Sequence, residues 1–147
     1  MPDKIRIKTN KNVCSGCLSC MTTCSMYNEH YSSLAGSRVQ ITLSPFGGTN
    51  VITICQQCTK PKCMEACPEN AISRHPDGYM VIDYDKCTSC KLCIPACPFH
   101  AMFWNPITEV PIKCELCHGA SPQCVEACPT GALTIQVVPA KKTAEPK

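Results

Sequence analysis

Large aromatic side chains are scarce in this chain of 147 residues: one Trp, three Phe and four Tyr, or 5% of the whole. A domain of this length normally buries most of its apolar surface, so a core with so few large side chains is thin and something else must hold the fold together. Long apolar runs are missing too. None approaches the roughly 18 residues that a bilayer span requires, so no direct membrane insertion is expected. The opening residues, MPDKIRIKTNKNV, carry charges but no apolar centre and no small-residue cleavage site. They do not read as a secretory signal, and a cytoplasmic location is the expectation. Charge of one sign does not dominate either. Fourteen basic and 11 acidic residues leave a net +3, and the basic residues are scattered, as on an ordinary solvated surface and not on a nucleic-acid face. No glycine-rich phosphate loop follows a strand, which leaves a nicotinamide or flavin site in this chain without support. No nucleophile–base pair stands out, so the chain reads as non-catalytic.

What the sequence does have is cysteine, 16 residues of it. They fall into four sets of four with none left over: Cys14, Cys17, Cys20 and Cys24; Cys55, Cys58, Cys63 and Cys67; Cys87, Cys90, Cys93 and Cys97; Cys114, Cys117, Cys124 and Cys128. Every set begins C-x-x-C and ends C-x-x-x-C. Only the middle spacer varies, with two residues in the first and third sets, four in the second and six in the fourth. Three sets run on into proline, at Pro68, Pro98 and Pro129, whereas the first ends Cys24-Ser25. This internal repeat organises the chain.

Thiolates are soft ligands that select zinc or iron–sulfur clusters. Structural zinc usually takes two C-x-x-C pairs some 12–20 residues apart, a spacing these compact sets do not have. A disulfide framework belongs to an exported chain, and none of the signs of export is present. A C-x-x-C-x-x-C loop, in contrast, wraps three thiolates around one cubane and turns backbone N–H groups toward its sulfurs. The reading is four [4Fe-4S] clusters. The last two cysteines of each set are four apart, a spacing that puts both on one helix face. A following proline disfavours helical geometry for the cysteine before it, so each short helix is expected to end at Cys67, Cys97 and Cys128. Between the sets, the turn residues Ser44–Thr49, Pro76–Gly78 and Asn105-Pro106 are flanked by β-prone runs that predict hairpins (39–43 with 51–54, 71–73 with 79–83, and a pair within 101–112), and 132–138 reads as a last strand. The fold class is therefore α+β, with short helices and β-hairpins. His118, inside the fourth set, has four thiols beside it and is not expected to ligate. His30, His75 and His100 read as surface or packing residues, and Phe103 and Trp104 as packing residues next to the third set.

The quartets make the chain resemble the four-cluster polyferredoxins that serve as electron-transfer subunits of dimethyl sulfoxide reductase, respiratory nitrate reductase and formate dehydrogenase, and the small iron–sulfur subunits of tungsten aldehyde oxidoreductases and hydrogenases. The likeness spans about 13–135. Some relatives lose one ligand of the third set and carry a three-iron centre; here all four are kept, so no [3Fe-4S] cluster is expected. The resemblance implies crossed ligation. Cluster 1 takes Cys14, Cys17, Cys20 and Cys128; cluster 2 takes Cys114, Cys117, Cys124 and Cys24; cluster 3 takes Cys55, Cys58, Cys63 and Cys97; cluster 4 takes Cys87, Cys90, Cys93 and Cys67. It further implies two pseudo-symmetric bacterial (2[4Fe-4S]) ferredoxin-like modules, one nested in the other: an outer one from 1–54 and 106–138 and an inner one from 55–105, with 139–147 a disordered tail.

The function so implied is the relay of single electrons to or from the catalytic subunit of a soluble molybdo- or tungstopterin oxidoreductase, of the aldehyde oxidoreductase or formate dehydrogenase kind, in a hetero-oligomer with a flavin or ferredoxin partner. A hydrogenase or formate-hydrogen lyase complex is the alternative. An iron–sulfur redox sensor is disfavoured, because an output module does not fit in the residues outside the repeats. Each oxidised cluster with its four thiolates carries roughly −2, so four of them turn a chain of +3 into a holo-protein near −5. Lysines beside ligands (Lys60, Lys62, Lys86, Lys91 and Lys113) are candidates to offset that charge, against the plainer reading of solvated lysines.

Overall fold

The computed structural model describes residues 4–138; the tail assigned to 139–147 lies outside them. Among the described residues the architecture is α+β, with four α-helices, one short 3-10 helix (Leu116–Gly119) and four separate two-stranded antiparallel sheets in place of one continuous sheet. Three sheets are local hairpins at the expected places: β2 (Val39–Thr42) with β3 (Val51–Ile54), β4 (Ile72–Arg74) with β5 (Met80–Ile82), and β6 (Phe103–Asn105) with β7 (Val110–Ile112). The fourth joins the two ends of the described chain. β1 (Lys4–Thr9) pairs with β8 (Leu133–Val138), Ile7 opposite Ile135. β1 was not expected. Its period-2 signal, Ile5 and Ile7 between charged residues, is short, and the strand that completes it lies at the opposite end of the sequence.

The helices follow the prolines. α2 (Lys62–Ala66), α3 (Cys93–Ala96) and α4 (Gln123–Ala127) each stop before a cysteine in extended conformation: Cys67 at φ −79°, Cys97 at φ −75° and Cys128 at φ −74°. The ring of the next residue excludes helical geometry from each of them. The first set lacks that proline, and its helix runs on. α1 spans Ser19–Glu29, past Cys24, and ends at His30 in left-handed conformation. Ser25, where the other sets have proline, is fully buried. Its hydroxyl donates to the Thr22 carbonyl at 3.1 Å and accepts from the Ser33 amide at 3.0 Å.

α1 packs on α4, and α2 on α3. Two apolar cores result. The larger joins Ile7, Met21, Val39, Ile54, Tyr79, Leu116 and Leu133 with Cys20, Cys24, Cys114 and Cys124. The smaller joins Ile72, Met80, Ile82 and Met102 with Cys93. Cysteines are therefore core residues in both, and Tyr79 is the one aromatic residue in either. Phe46, at the tip of the β2–β3 hairpin, is 97% exposed.

Candidate functional site

The backbone repeats as faithfully as the cysteines do. In all four C-x-x-C turns the residue before the second cysteine is left-handed: Gly16 at φ 73°, Gln57 at 50°, Ser89 at 58° and Leu116 at 49°. Such a residue tips consecutive N–H groups toward one side, forming a concavity that favours anions. Three of the four are not glycine, and a left-handed L-residue costs about 1–2 kcal/mol, so the turn is held against its own preference. At Gly16 a side chain is also excluded by crowding, since a Cβ would stand 2.8 Å from the Leu43 side chain.

A second repeated device follows the prolines. Each reads C-P-x-x-A, and the amide of that alanine donates to the cysteine sulfur: Ala71 to Cys67 Sγ at 3.3 Å, Ala101 to Cys97 at 3.4 Å and Ala132 to Cys128 at 3.3 Å. The residue before each alanine is left-handed (Asn70, His100 and Gly131), which closes the turn. In the first set the continuing helix carries the chain away, and the amide of Arg38 supplies the equivalent bond to Cys24 Sγ at 3.3 Å. This motif escaped the sequence reading, although three alanines at one offset from Cys-Pro were visible signals.

Three pockets of nearly equal size, about 340, 310 and 320 Å³ counting space open to solvent, are lined by cysteines. The first brings together Cys87, Cys90, Cys93 and Cys67. The second brings together Cys14, Cys17, Cys20 and Cys128, and the third Cys114, Cys117, Cys124 and Cys24. Each is faced by three cysteines of one set and the last cysteine of another. Of the remaining four, Cys63 lies within electrostatic reach of Cys55 and Cys97, and the Cys58 carbonyl accepts from Arg74 Nη2 at 2.5 Å. Among the described residues no group of three or more His, Cys, Asp or Glu side chains is placed to share one metal ion. The sulfurs stand around the pockets, as a many-atom cluster requires, and the donor set (thiolates plus inward N–H groups) is the one that [4Fe-4S] clusters take.

Burial acts on these thiols. It pushes Cys20 and Cys93 up to about 11 and Cys114 up to about 12, and it raises Cys63, Cys117 and Cys124 as well. Two ligand candidates go the other way. Cys17 is lowered by hydrogen bonds from Ser19 and Ser15. At Cys128 burial is outweighed by bonds from the Thr130 hydroxyl and the amides of Thr130, Ala132 and Leu133. Metal binding deprotonates a thiol outright, so burial here acts chiefly by excluding water.

Comparison with known proteins agrees with this geometry. Residues 49–138 match the 4Fe-4S dicluster domain, and residues 11–27 match a 4Fe-4S binding domain. The chain belongs to the 4Fe-4S dicluster family. Like other members it carries several [4Fe-4S] clusters, and its 16 cysteines suffice for four. It is similar to the thiosulfate reductase electron transfer subunit PhsB of Salmonella typhi, with 35% identity over 82% of this chain and 69% of that one. It is also similar to the B subunit of the polysulfide reductase of Wolinella succinogenes, with 31% identity over 91% and 76%. The NADH-dependent phenylglyoxylate dehydrogenase subunit beta of Aromatoleum evansii is 36% identical over 82% of this chain, which spans only 27% of that protein. Among solved structures, a chain of the active site complex BamBC of benzoyl coenzyme A reductase superposes with a TM-score of 0.59 at 25% identity, covering 99% of this chain and 82% of its own. The family resemblance read from the cysteine spacing therefore holds.

The other singled-out residues sort by burial. His118 is largely exposed, its Nδ1 3.1 Å from Glu115 Oε2. His75 stacks on Tyr79 with ring centroids 4.5 Å apart. Trp104 is half-buried and takes the Lys91 ammonium on its face, 4.2 Å from the ring centroid. Lys62 and Lys86 pair with Glu65 and Asp83 at the surface, and Lys60 is exposed. Lys113 is the exception, fully buried at 1% exposure. Sequence reasoning also missed Gln57 (0% exposed) and the buried Arg38, which pairs with Glu29 at 3.2 Å and Glu115 at 3.5 Å. Among the described residues no helix is long and apolar enough to cross a membrane.

Proposed function

We propose that this chain is a non-catalytic electron-transfer subunit with four [4Fe-4S] clusters arranged as a line. The clusters take the four crossed ligand sets read from the resemblance, within an outer unit (1–54 and 106–138) and an inner unit (55–105). A [4Fe-4S] cluster, when bound, takes up and returns one electron at a time. The residues of the chain do the rest: they hold the centres, exclude water and fix their order. The observation that carries the reading is that the cysteine-lined pockets each draw on two sets.

The order is supported by which thiols lie within electrostatic reach of one another: Cys20 of Cys124, Cys55 of Cys114 and Cys63 of Cys93. These pairs run through the ligand sets as 1–2–3–4. The two ends carry the exposed cysteines, Cys17 in the first and Cys90 in the last, which suits entry of an electron at one end and exit at the other. The acceptor gains one electron for each that the donor loses.

The partner proposed is the catalytic subunit of a molybdo- or tungstopterin oxidoreductase in the cytoplasm, with a flavoprotein or ferredoxin at the other end. Relatives named as subunits of thiosulfate and polysulfide reductases support a partner of this class. Anaerobic purification tests the reading. About sixteen irons per chain are expected from four cubanes, with four reversible one-electron waves in an EPR-monitored titration. A colourless protein, or one holding zinc, overturns it.

A further inference from the structure

Between the ligand sets proposed for clusters 2 and 3 lies a closed ring of buried hydrogen bonds. Lys113 Nζ donates to the Met80 carbonyl at 2.6 Å and to the Cys114 carbonyl at 3.0 Å. Gln57 Nε2 donates to the same Cys114 carbonyl at 2.7 Å, and Gln57 Oε1 accepts from the Met80 amide at 2.7 Å. Gln57 sits inside the second set's C-x-x-C turn, and Lys113 directly precedes the fourth set. Among the described residues Lys113 is the only buried lysine, and no carboxylate pairs with it. The buried Arg38 is different, its charge being opposed by Glu29 and Glu115. The ring ties the Lys113 ammonium to both clusters: it donates to the carbonyl of Cys114, a ligand proposed for cluster 2, and shares that carbonyl with the side chain of Gln57, which stands between Cys55 and Cys58 of cluster 3.

We propose that Lys113 is a fixed, unopposed cation shared by the two middle clusters, raising the reduction potential of both, and that Gln57 positions it. This deepens the function proposed above and rests on it. One-electron reduction of a cluster makes its charge more negative by one, and a cation nearby favours the more negative state. In a dry interior that attraction is far stronger than in water. The surface lysines do not have this leverage, because solvent and salt screen them. The device keeps the centre of the line from becoming a barrier.

The test is an EPR-monitored redox titration of anaerobically purified holo-protein, with iron counted in every sample. In Lys113→Met two of the four waves move to lower potential by at least a tenfold change in one-electron equilibrium constant, about 59 mV, and the other two stay. Gln57→Leu keeps the charge but opens the ring, so it moves the same two waves by a smaller amount. Lys60→Met, at an exposed lysine in the second set's spacer, moves none. Where Lys113→Met does not retain iron, Lys113→Gln keeps a donor in the ring without the charge, and its two lowered waves carry the same conclusion. Four unshifted or four equally shifted waves in an iron-replete Lys113 variant overturn the proposal. So does iron loss from both Lys113 variants and Gln57→Leu alike, which makes the ring a structural bridge only. A wild-type protein that lacks four clusters fails the underlying reading instead.

Discussion

The α1/α4 and α2/α3 halves of the molecule use one cysteine repeat with very different amounts of protein. Around α1 and α4 stand an 11-residue helix, a six-residue β1–β8 ladder and the larger core. Around α2 and α3 stand helices of five and four residues, three-residue strands and a core of Ile72, Met80, Ile82, Met102 and Cys93. Isolated helices this short do not form in water, and two-stranded hairpins are marginal. The α2/α3 half therefore depends on its metal bonds for stability to a degree the α1/α4 half does not. The difference shows how little polypeptide a cluster site needs once the turn, the proline exit and the alanine amide are in place.

Removing ligands breaks the comparison most sharply. Cys97→Ala is expected to strip the centre held by Cys55, Cys58 and Cys63 while leaving the one held by Cys87, Cys90 and Cys93, and Cys128→Ala to do the same for the centre of Cys14, Cys17 and Cys20. Each change shows as about four irons lost and one EPR wave gone. The inner variant should also lose far-UV circular dichroism at a lower temperature than the outer. Loss of the wave belonging to each cysteine's own sequence run would reject the crossing. Ser25→Pro imposes on the first set the ending of the other three. It is expected to melt α1 beyond Cys24 at a cost of about 3 kcal/mol, read as faster iron release on heating. The paired core truncations Ile7→Ala and Ile72→Ala, each about 2–5 kcal/mol, should speed iron release from the outer and inner centres respectively. The smallest effect is expected from Lys91→Ala, which removes a cation from the single Trp. It changes stability by about 0.5–1 kcal/mol and is read in Trp104 fluorescence.

Much of this architecture was legible in the sequence because its causes are local. Proline after Cys67, Cys97 and Cys128 ends a helix by steric exclusion, and turn residues such as Pro76-Asp77-Gly78 set a hairpin whatever surrounds them. The absence of proline after Cys24 was equally visible, yet the length of α1 depends on Ser25 finding Thr22 and Ser33, and on Glu29 meeting Arg38 at the far end of the loop that follows the helix. β1 needed a partner at the far end of the chain. Lys113 and Gln57 are polar residues whose burial no local pattern announces, since their partners on Met80 and Cys114 are backbone groups supplied by tertiary structure.

The ladder between Lys4–Thr9 and Leu133–Val138 sets an order of events during synthesis. Chains emerge from the ribosome N-terminus first, so the first strand to appear is among the last to find its mate. Until then the opening segment trails unattached while the middle hairpins close beside it. Any cluster assembled before release therefore forms on the middle cysteines while the two strands of the ladder are still apart.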